Sequence, residues 1–211
     1  SMELGGNAPF VVFEDADLAA AVEGAMAAKF RNIGEACTAA NRFIVHESLA
    51  AEFTARVSAR VAALTVGRGT DDGIEIGPLI DEHAVAKASS LVADAVARGA
   101  TVHTGGAVLR GTFFEPTVIS GVPAGAEILR QEIFGPVLAI STFADEDEAV
   151  RLRGVERVTL RDLWIDAIQT SLRAFGANDH IDRVAAAVFD HGAAPPGYSD
   201  RTFRFEYLAE Q

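Results

Sequence analysis

The sequence predicts an α/β protein with a mainly parallel sheet flanked by helices and a mostly helical C-terminal tail. Short β-branched runs alternate with longer alanine-rich stretches between residues 9 and 158, which is the pattern of successive βαβ units. The short runs are mostly apolar, as expected of strands buried on both faces of a sheet. The chain has 211 residues, 49% of them hydrophobic, which is enough for one sizeable core.

Strands and helices can be assigned in order along the first 150 residues. Strands are predicted over residues 10–13, 42–46, 101–103, 117–120 and 137–143, helices over residues 15–30, 47–64 and 81–98, and a loop over residues 67–80. The first helix should begin near Asp15 to Asp17, because acidic side chains suit the positive end of a helix dipole. Gly99 should end the third helix, since glycine commonly follows a helix C-terminus.

Composition argues against several classes of partner. The formal charge of −12 opposes the phosphate backbone, so nucleic acid is not expected to bind. No apolar run reaches the roughly 18 residues of a membrane span, and the start SMELGG lacks the features of a signal peptide, so a cytoplasmic protein is expected. One cysteine and five histidines without ligand spacing predict neither a disulfide within the chain nor a metal site.

The composition changes near residue 152, which predicts a domain over residues 1–152 and a tail over residues 153–211. Both tyrosines and the only tryptophan lie in the tail, whereas both lysines precede it. A helix is predicted over residues 158–175, because apolar side chains recur there every three or four residues, at Leu160, Trp164, Ile168, Leu172 and Phe175. A second helix is predicted to end at Phe189, and the final TFRFEYL alternates like an edge strand.

Cys37 is the strongest candidate in the chain for a chemically reactive side chain. It lies in RNIGEACTAANR, just beyond the first predicted helix, in a glycine-containing loop whose amides could bind an oxyanion. The alternative is a small apolar residue in the core, because free cysteine is among the most buried residue types. The residues alone leave both interpretations open.

Five short motifs follow one another between residues 2 and 152. They are ELGGN, GEAC followed by ANR, IGPLI, FEPTV and EIFGPV. In this order they resemble the catalytic domain of the aldehyde dehydrogenase superfamily, and the KFRN stretch before Cys37 is most similar to its succinate-semialdehyde dehydrogenase branch. The separation of Glu3 from Cys37 is also similar to the family's distance between general base and nucleophile.

The resemblance implies a mechanism and its residues. Cys37 would attack the aldehyde carbon, and loss of a hydride from the thiohemiacetal to the nicotinamide of NAD or NADP would leave a thioester. Glu3 would then activate water as the general base, and the Cys37 amide would contribute to the oxyanion site. If the family resemblance is set aside, Glu3 is expected to be a solvated glutamate near a chain end.

The resemblance also implies cofactor and substrate contacts. Glu132 would hold the ribose hydroxyls of the nicotinamide half and Phe134 would lie beside the nicotinamide, with Leu4 and Gly5 expected at the same cofactor site. From residue type alone, Glu132 would be expected to be exposed and Phe134 to lie in the core. Arg31 would bind the distal carboxylate of succinic semialdehyde, and a solvated arginine that ends the first helix is the equal alternative.

The family pattern is incomplete in this chain. The dinucleotide-binding domain that precedes ELGGN, with its oxyanion asparagine, and the later NDTxYGL-like and PFGG segments find no counterpart. We therefore expect the isolated chain to bind no NAD or NADP and to be inactive as a dehydrogenase. A slow cysteine esterase and a non-catalytic interaction or structural module are the alternatives. A homodimer or a partner chain would cover the unpaired sheet edge.

Overall fold

A computed structural model of the chain describes residues 5–145, which contain a five-stranded sheet, three helices and a separate hairpin. In chain order, the elements are β1 (Ala8–Val12), α1 (Leu18–Phe30), β2 (Ala40–His46), α2 (Glu47–Ala62), α3 (Glu82–Ala97), β3 (Thr101–Thr104), β4 (Val108–Arg110), β5 (Phe113–Phe114), β6 (Thr117–Ser120) and β7 (Val137–Phe143). All five predicted strands and all three predicted helices of this region are present.

The sheet is mainly parallel, as predicted. Its strand order is β1-β2-β7-β6-β3, and only the pairing of β3 with β6 is antiparallel. The central strands β2 and β7 are buried, with Phe43, Val45, Leu138 and Ile140 all 0% exposed. Near-continuous apolar runs suit these positions because helices cover both faces of a parallel sheet.

The third strand does not fit the expectation of a sheet buried on both faces. Thr101, Val102 and His103 of β3 are all exposed. An antiparallel edge strand has a neighbour on one side only and can present side chains to solvent, which explains why polar residues are tolerated here. The hairpin of β4 and β5 was not predicted, because runs of three and two residues are shorter than a typical strand signal.

Local capping explains where the helices begin and end. The Asp17 carboxylate accepts hydrogen bonds from the amides of Ala19 (2.9 Å) and Ala20 (3.1 Å), so α1 begins where acidic residues predicted it. Asp81 caps α3 in the same way by accepting from the Ala84 amide at 2.8 Å. Beyond α3, Gly99 has φ +108°, a conformation that glycine adopts without the strain of a side chain.

The tail predictions lie outside the described residues. These are the helix over residues 158–175, the second helix ending at Phe189 and the TFRFEYL strand. Within residues 5–145, no helix has the length and apolar character needed to cross a bilayer.

Candidate active site

The conspicuous motifs meet at the amino ends of three neighbouring parallel strands. Residues 5–7 of ELGGN precede β1, the loop of residues 31–39 precedes β2, and residues 132–136 precede β7. Because β1, β2 and β7 are adjacent and parallel, their amino ends lie along one edge of the sheet. Open α/β sheets usually bind ligands at the carboxyl edge, so the candidate site lies at the opposite edge.

Cys37 lies in the loop of residues 31–39, and its side chain is exposed. After α1, the chain forms one 3-10 turn in which Asn32 and Ile33 have φ values of 56° and 51°. Left-handed backbone is costly for a β-branched residue and is commonly retained at functional sites. The exposure of Cys37 contradicts the alternative of a buried apolar cysteine and leaves a solvent-accessible thiol.

Two contacts fix this loop against other motifs. Gly34 has φ +78°, and a Cβ added there would lie 2.4 Å from the Gly135 carbonyl oxygen, so the loop and the EIFGPV segment approach backbone to backbone. Glu35 accepts a hydrogen bond from the Ile80 amide at 3.2 Å, which joins the loop to the IGPLI motif. The position of Cys37 is therefore set by residues distant in sequence.

Glu132 lies against the backbone of Gly5 and Gly6. The Gly6 amide donates to Glu132 Oε1 at 3.3 Å, and a Cβ added at Gly5 would lie 2.4 Å from Glu132 Oε2. Phe134 has φ 52° and is 36% exposed, so it is not the core phenylalanine that residue type alone predicts. Glu132 is only partly exposed.

The ANR residues hold the ELGGN backbone in place. Asn41 Nδ2 donates to the Gly6 carbonyl oxygen at 3.1 Å, and Arg42 Nε donates to the Asn7 carbonyl oxygen at 2.8 Å. The Asn7 side chain in turn donates to the Leu129 carbonyl oxygen at 2.8 Å. Sequence reasoning used ANR only as a family motif and assigned Asn41 and Arg42 no role.

Lys29 is a second residue that sequence reasoning missed. It belongs to the last turn of α1, is 0% exposed, and donates from Nζ to Asn41 Oδ1 at 2.8 Å. Burial lowers the pKa of Lys29 to about 7, and the negative charge of Glu132 opposes that shift. The signal available in the sequence was a lone lysine at the end of an alanine-rich helix, two residues before Arg31.

Of the remaining predicted residues, the structure describes only Arg31. Arg31 is exposed at the start of the 3-10 turn, and its guanidinium makes no hydrogen bond or ion pair with other side chains within residues 5–145. An exposed guanidinium of this kind is consistent both with a binding site for a substrate carboxylate and with a solvated arginine. Glu3 and Leu4 lie outside the described residues.

Two family models match the sequence. The model of the aldehyde dehydrogenase family matches residues 1–160. A second model, DUF1786, whose description names a pyruvate format-lyase activating enzyme, matches residues 140–211. The second match covers the tail for which no family motif was found in the sequence.

Relatives and solved structures point to the same family. A succinate-semialdehyde dehydrogenase of Paenarthrobacter nicotinovorans is 59% identical over 154 residues, covering 72% of this chain and 34% of the relative. The Escherichia coli K12 succinate-semialdehyde dehydrogenase whose name specifies NADP(+) is 48% identical over 152 residues, covering 71% of this chain and 32% of the relative. The crystal structure of a succinate-semialdehyde dehydrogenase from Burkholderia pseudomallei superposes with a TM-score of 0.72 at 44% identity, covering 84% of this chain and 38% of that one. The chain thus spans about a third of the length of the curated relatives it matches.

Proposed function

The chain belongs to the aldehyde dehydrogenase family, and from that premise we propose that its first 152 residues supply the nucleophile for NAD(P)-dependent oxidation of an aldehyde to a carboxylate. The observation that carries the proposal is the exposed Cys37 thiol on a strained loop at the amino ends of β1, β2 and β7. The same edge carries Glu132 against the Gly5–Gly6 backbone.

The chemistry assigned to Cys37 begins with addition of its thiolate to the aldehyde carbon. This forms a carbon–sulfur bond and a thiohemiacetal, whose oxygen the Cys37 amide would stabilise. The chemistry that a nicotinamide would supply when bound is acceptance of the hydride, and Cys37 would then hold the acyl group as a thioester. Hydrolysis of that thioester releases the carboxylate and regenerates the thiol.

We assign to Glu3 the removal of a proton from the hydrolytic water. The support is its place in ELGGN, whose Gly6 backbone contacts the nucleophile loop: a Cβ added at Gly6 would lie 3.7 Å from the Cys37 carbonyl oxygen. A carboxylate whose pKa lies near the working pH can accept the proton and pass it to solvent, which is the role of a general base.

The residues at the strand edge fit the nicotinamide half of NAD or NADP. The Glu132 carboxylate offers two acceptor oxygens to ribose hydroxyls, and a Cβ at position 5 would displace it from its present place. Phe134 has a strained backbone conformation and an exposed ring, and an exposed aromatic ring offers a face to a planar ligand. We assign both to the cofactor, with Gly5 and Leu4 as backbone neighbours.

For the substrate, we propose a short aldehyde with a terminal carboxylate, succinic semialdehyde first. Arg31 lies six residues before Cys37, is exposed, and has no ion pair within the described part of the chain. A guanidinium offers a planar pair of donors to a carboxylate, which suits this task better than an ammonium. Both relatives described above are named succinate-semialdehyde dehydrogenases, which supports the same substrate class.

The direct experiment measures NAD(P)H formation by the purified chain with succinic semialdehyde and either nucleotide, with Cys37→Ala as the blank. The expected result is no turnover by these 211 residues alone, together with Cys37-dependent hydrolysis of an activated ester. Turnover that depends on Cys37 would show that the chain binds the nucleotide itself. Silence in both assays would contradict the assignment of Cys37.

Two predictions about the whole protein belong with this proposal. A homodimer, or a partner chain, is expected to cover an unpaired sheet edge, because exposed strand edges favour association. Light scattering over a wide concentration range tests this, and a monomer throughout would contradict it. A cytoplasmic location also stays a prediction.

A further inference from the structure

A lysine with no exposed surface lies directly beneath the nucleophile loop. Lys29 is 0% exposed and Asn41 is 1% exposed, and both are polar groups inside the core of α1 and β2. An apolar side chain of similar volume would fill such a position without the desolvation cost of an ammonium. The lysine therefore needs an explanation other than packing.

Three hydrogen bonds in succession connect Lys29 to Glu132. Lys29 Nζ donates to Asn41 Oδ1 at 2.8 Å, Asn41 Nδ2 donates to the Gly6 carbonyl oxygen at 3.1 Å, and the Gly6 amide donates to Glu132 Oε1 at 3.3 Å. A separate contact reaches the nucleophile loop, because a Cβ added at Gly34 would lie 3.2 Å from Lys29 Cε. Lys29 thus contacts the loop and supports the Gly6 backbone.

The chemistry of the lysine sets the direction of this chain of bonds. In its protonated form Lys29 has donors only, which favours the observed orientation, with the Asn41 oxygen facing Lys29 and the Asn41 nitrogen facing the Gly6 carbonyl. Without a donor at position 29, the Asn41 amide could rotate and release Gly6. Glu132 is the charged group whose field acts on Lys29, so the two side chains also interact electrostatically.

We propose that Lys29 is a positioning residue of this site, which acts through Asn41 and the Gly6 backbone to hold Glu132 and the Cys37 loop in their reactive arrangement. The inference rests on the proposed function, because it takes Cys37 as the nucleophile and Glu132 as the cofactor residue. The inference adds a buried lysine to the site and predicts that the protonation of this lysine depends on the charge of Glu132.

The chain offers a direct way to observe this lysine, because it contains only two, Lys29 and Lys87. Labelling the full chain with ¹³C-lysine gives two side-chain signals, which Lys29→Met and Lys87→Met identify. The Lys29 signal should titrate near pH 7, and Glu132→Gln should lower its midpoint by about one pH unit, since an opposing charge is removed. A Lys29 midpoint that Glu132→Gln leaves unchanged would overturn the electrostatic part of the proposal.

The positioning part is tested by the rate at which iodoacetamide alkylates Cys37. Lys29→Met should slow alkylation about fivefold to tenfold, and Lys29→Gln, which keeps a donor for Asn41, should recover most of the rate. Asn41→Asp should slow it as well while retaining the thermal midpoint, because a carboxylate at position 41 would pair with Lys29 but could not donate to Gly6. Lys87→Met is the matched control and should alkylate at the original rate.

The outcomes separate this inference from the proposed function. If Cys37 of the unmodified chain reacts no faster in the folded than in the urea-unfolded state, the proposed function fails whatever Lys29 does. If folding does accelerate Cys37 but Lys29→Met and Asn41→Asp both react at the original rate, the positioning role alone is wrong. Should Lys29→Met fail to fold, Asn41→Asp and the two lysine signals still decide the question.

Discussion

The Gly6 amide donates a hydrogen bond to Glu132 Oε1 at 3.3 Å, although 126 residues of sequence separate the two. This contact brings ELGGN and EIFGPV together at the edge where Cys37 emerges. It also explains the glycine that precedes Gly6, because a Cβ at Gly5 would occupy the space of the Glu132 carboxylate.

Gly5→Ala should displace Glu132 from the Gly6 amide. A Cβ at this position would lie 2.4 Å from Glu132 Oε2, which is closer than any real contact, so the carboxylate must move. Losing a hydrogen bond to a charged group should raise the exchange rate of the Gly6 amide roughly tenfold. Hydrogen exchange followed by NMR measures this rate. Gly69→Ala, where the added Cβ meets nothing within 4 Å, should leave it unchanged.

Gly34→Ala should damage both stability and Cys37 reactivity. Gly34 combines φ +78° with a Cβ position only 2.4 Å from the Gly135 carbonyl oxygen, and backbone cannot yield as a flexible side chain does. The backbone conformation alone costs about 1–2 kcal/mol for an L-residue, and the overlap adds to this. Urea unfolding and iodoacetamide alkylation measure the two effects, again with Gly69→Ala as the control. A variant as stable as that control would show that the loop can move away from Gly135 freely.

Arg31→Gln should remove the preference of Cys37 for an anionic reagent. If the Arg31 guanidinium attracts a carboxylate to the thiol, iodoacetate should react faster relative to iodoacetamide in the original chain than in the variant. A difference of about threefold to tenfold is expected, since the pair is exposed to solvent and screened by salt. Arg68→Gln makes the same change in net charge on an exposed loop and should preserve the ratio. Equal ratios in all three proteins would favour the solvated arginine.

Lys29 should make stability increase with pH in the alkaline range. Its pKa is lowered from 10.5 to about 7 in the folded state, so between these values the unfolded chain binds the extra proton and folding is favoured as pH rises. Below about pH 7 both states hold the proton and this contribution to the slope vanishes. The slope from this group is at most about 1.4 kcal/mol per pH unit.

Urea unfolding at about pH 7 and about pH 9 measures the contribution of Lys29 to the pH dependence of stability when the original chain is compared with Lys29→Met. The gain in stability between the two pH values should be larger in the original chain, and Lys87→Met should match the original. A Lys29→Met variant with the same gain would mean that Lys29 keeps its charge on folding.

The strands and helices of residues 5–145 could be predicted because their apolar runs and capping residues are local signals. The first helix begins in the predicted region, where Asp17 caps it, the third begins directly after Asp81, and the strand predicted over residues 137–143 is β7 (Val137–Phe143). The β4–β5 hairpin was missed because its strands are too short for alternation to show. The exposure of β3 was missed because it follows from a position at the sheet edge, which depends on the pairing of distant segments.

The site was predictable at the level of motifs and not at the level of contacts. Cys37, Glu132 and Gly5 were named from the family resemblance, and each motif segment directly precedes a strand. That Lys29 binds Asn41, or that Asn32, Ile33 and Phe134 adopt left-handed backbone, cannot be read from residue type, because tertiary contacts impose both. The roles given to these residues are predictions that the experiments above address.

The most direct test of the central claim is mass spectrometry of the chain after brief exposure to 4-nitrophenyl acetate. Attack by the Cys37 thiolate on the ester carbonyl would expel nitrophenolate and leave an acetyl thioester, which peptide mapping locates. We predict acetylation of Cys37 in the folded chain that is faster than in the urea-unfolded chain and absent in Cys37→Ala. Acetylation of Cys37 no faster in the folded than in the unfolded chain would contradict the claim that this loop presents an activated nucleophile.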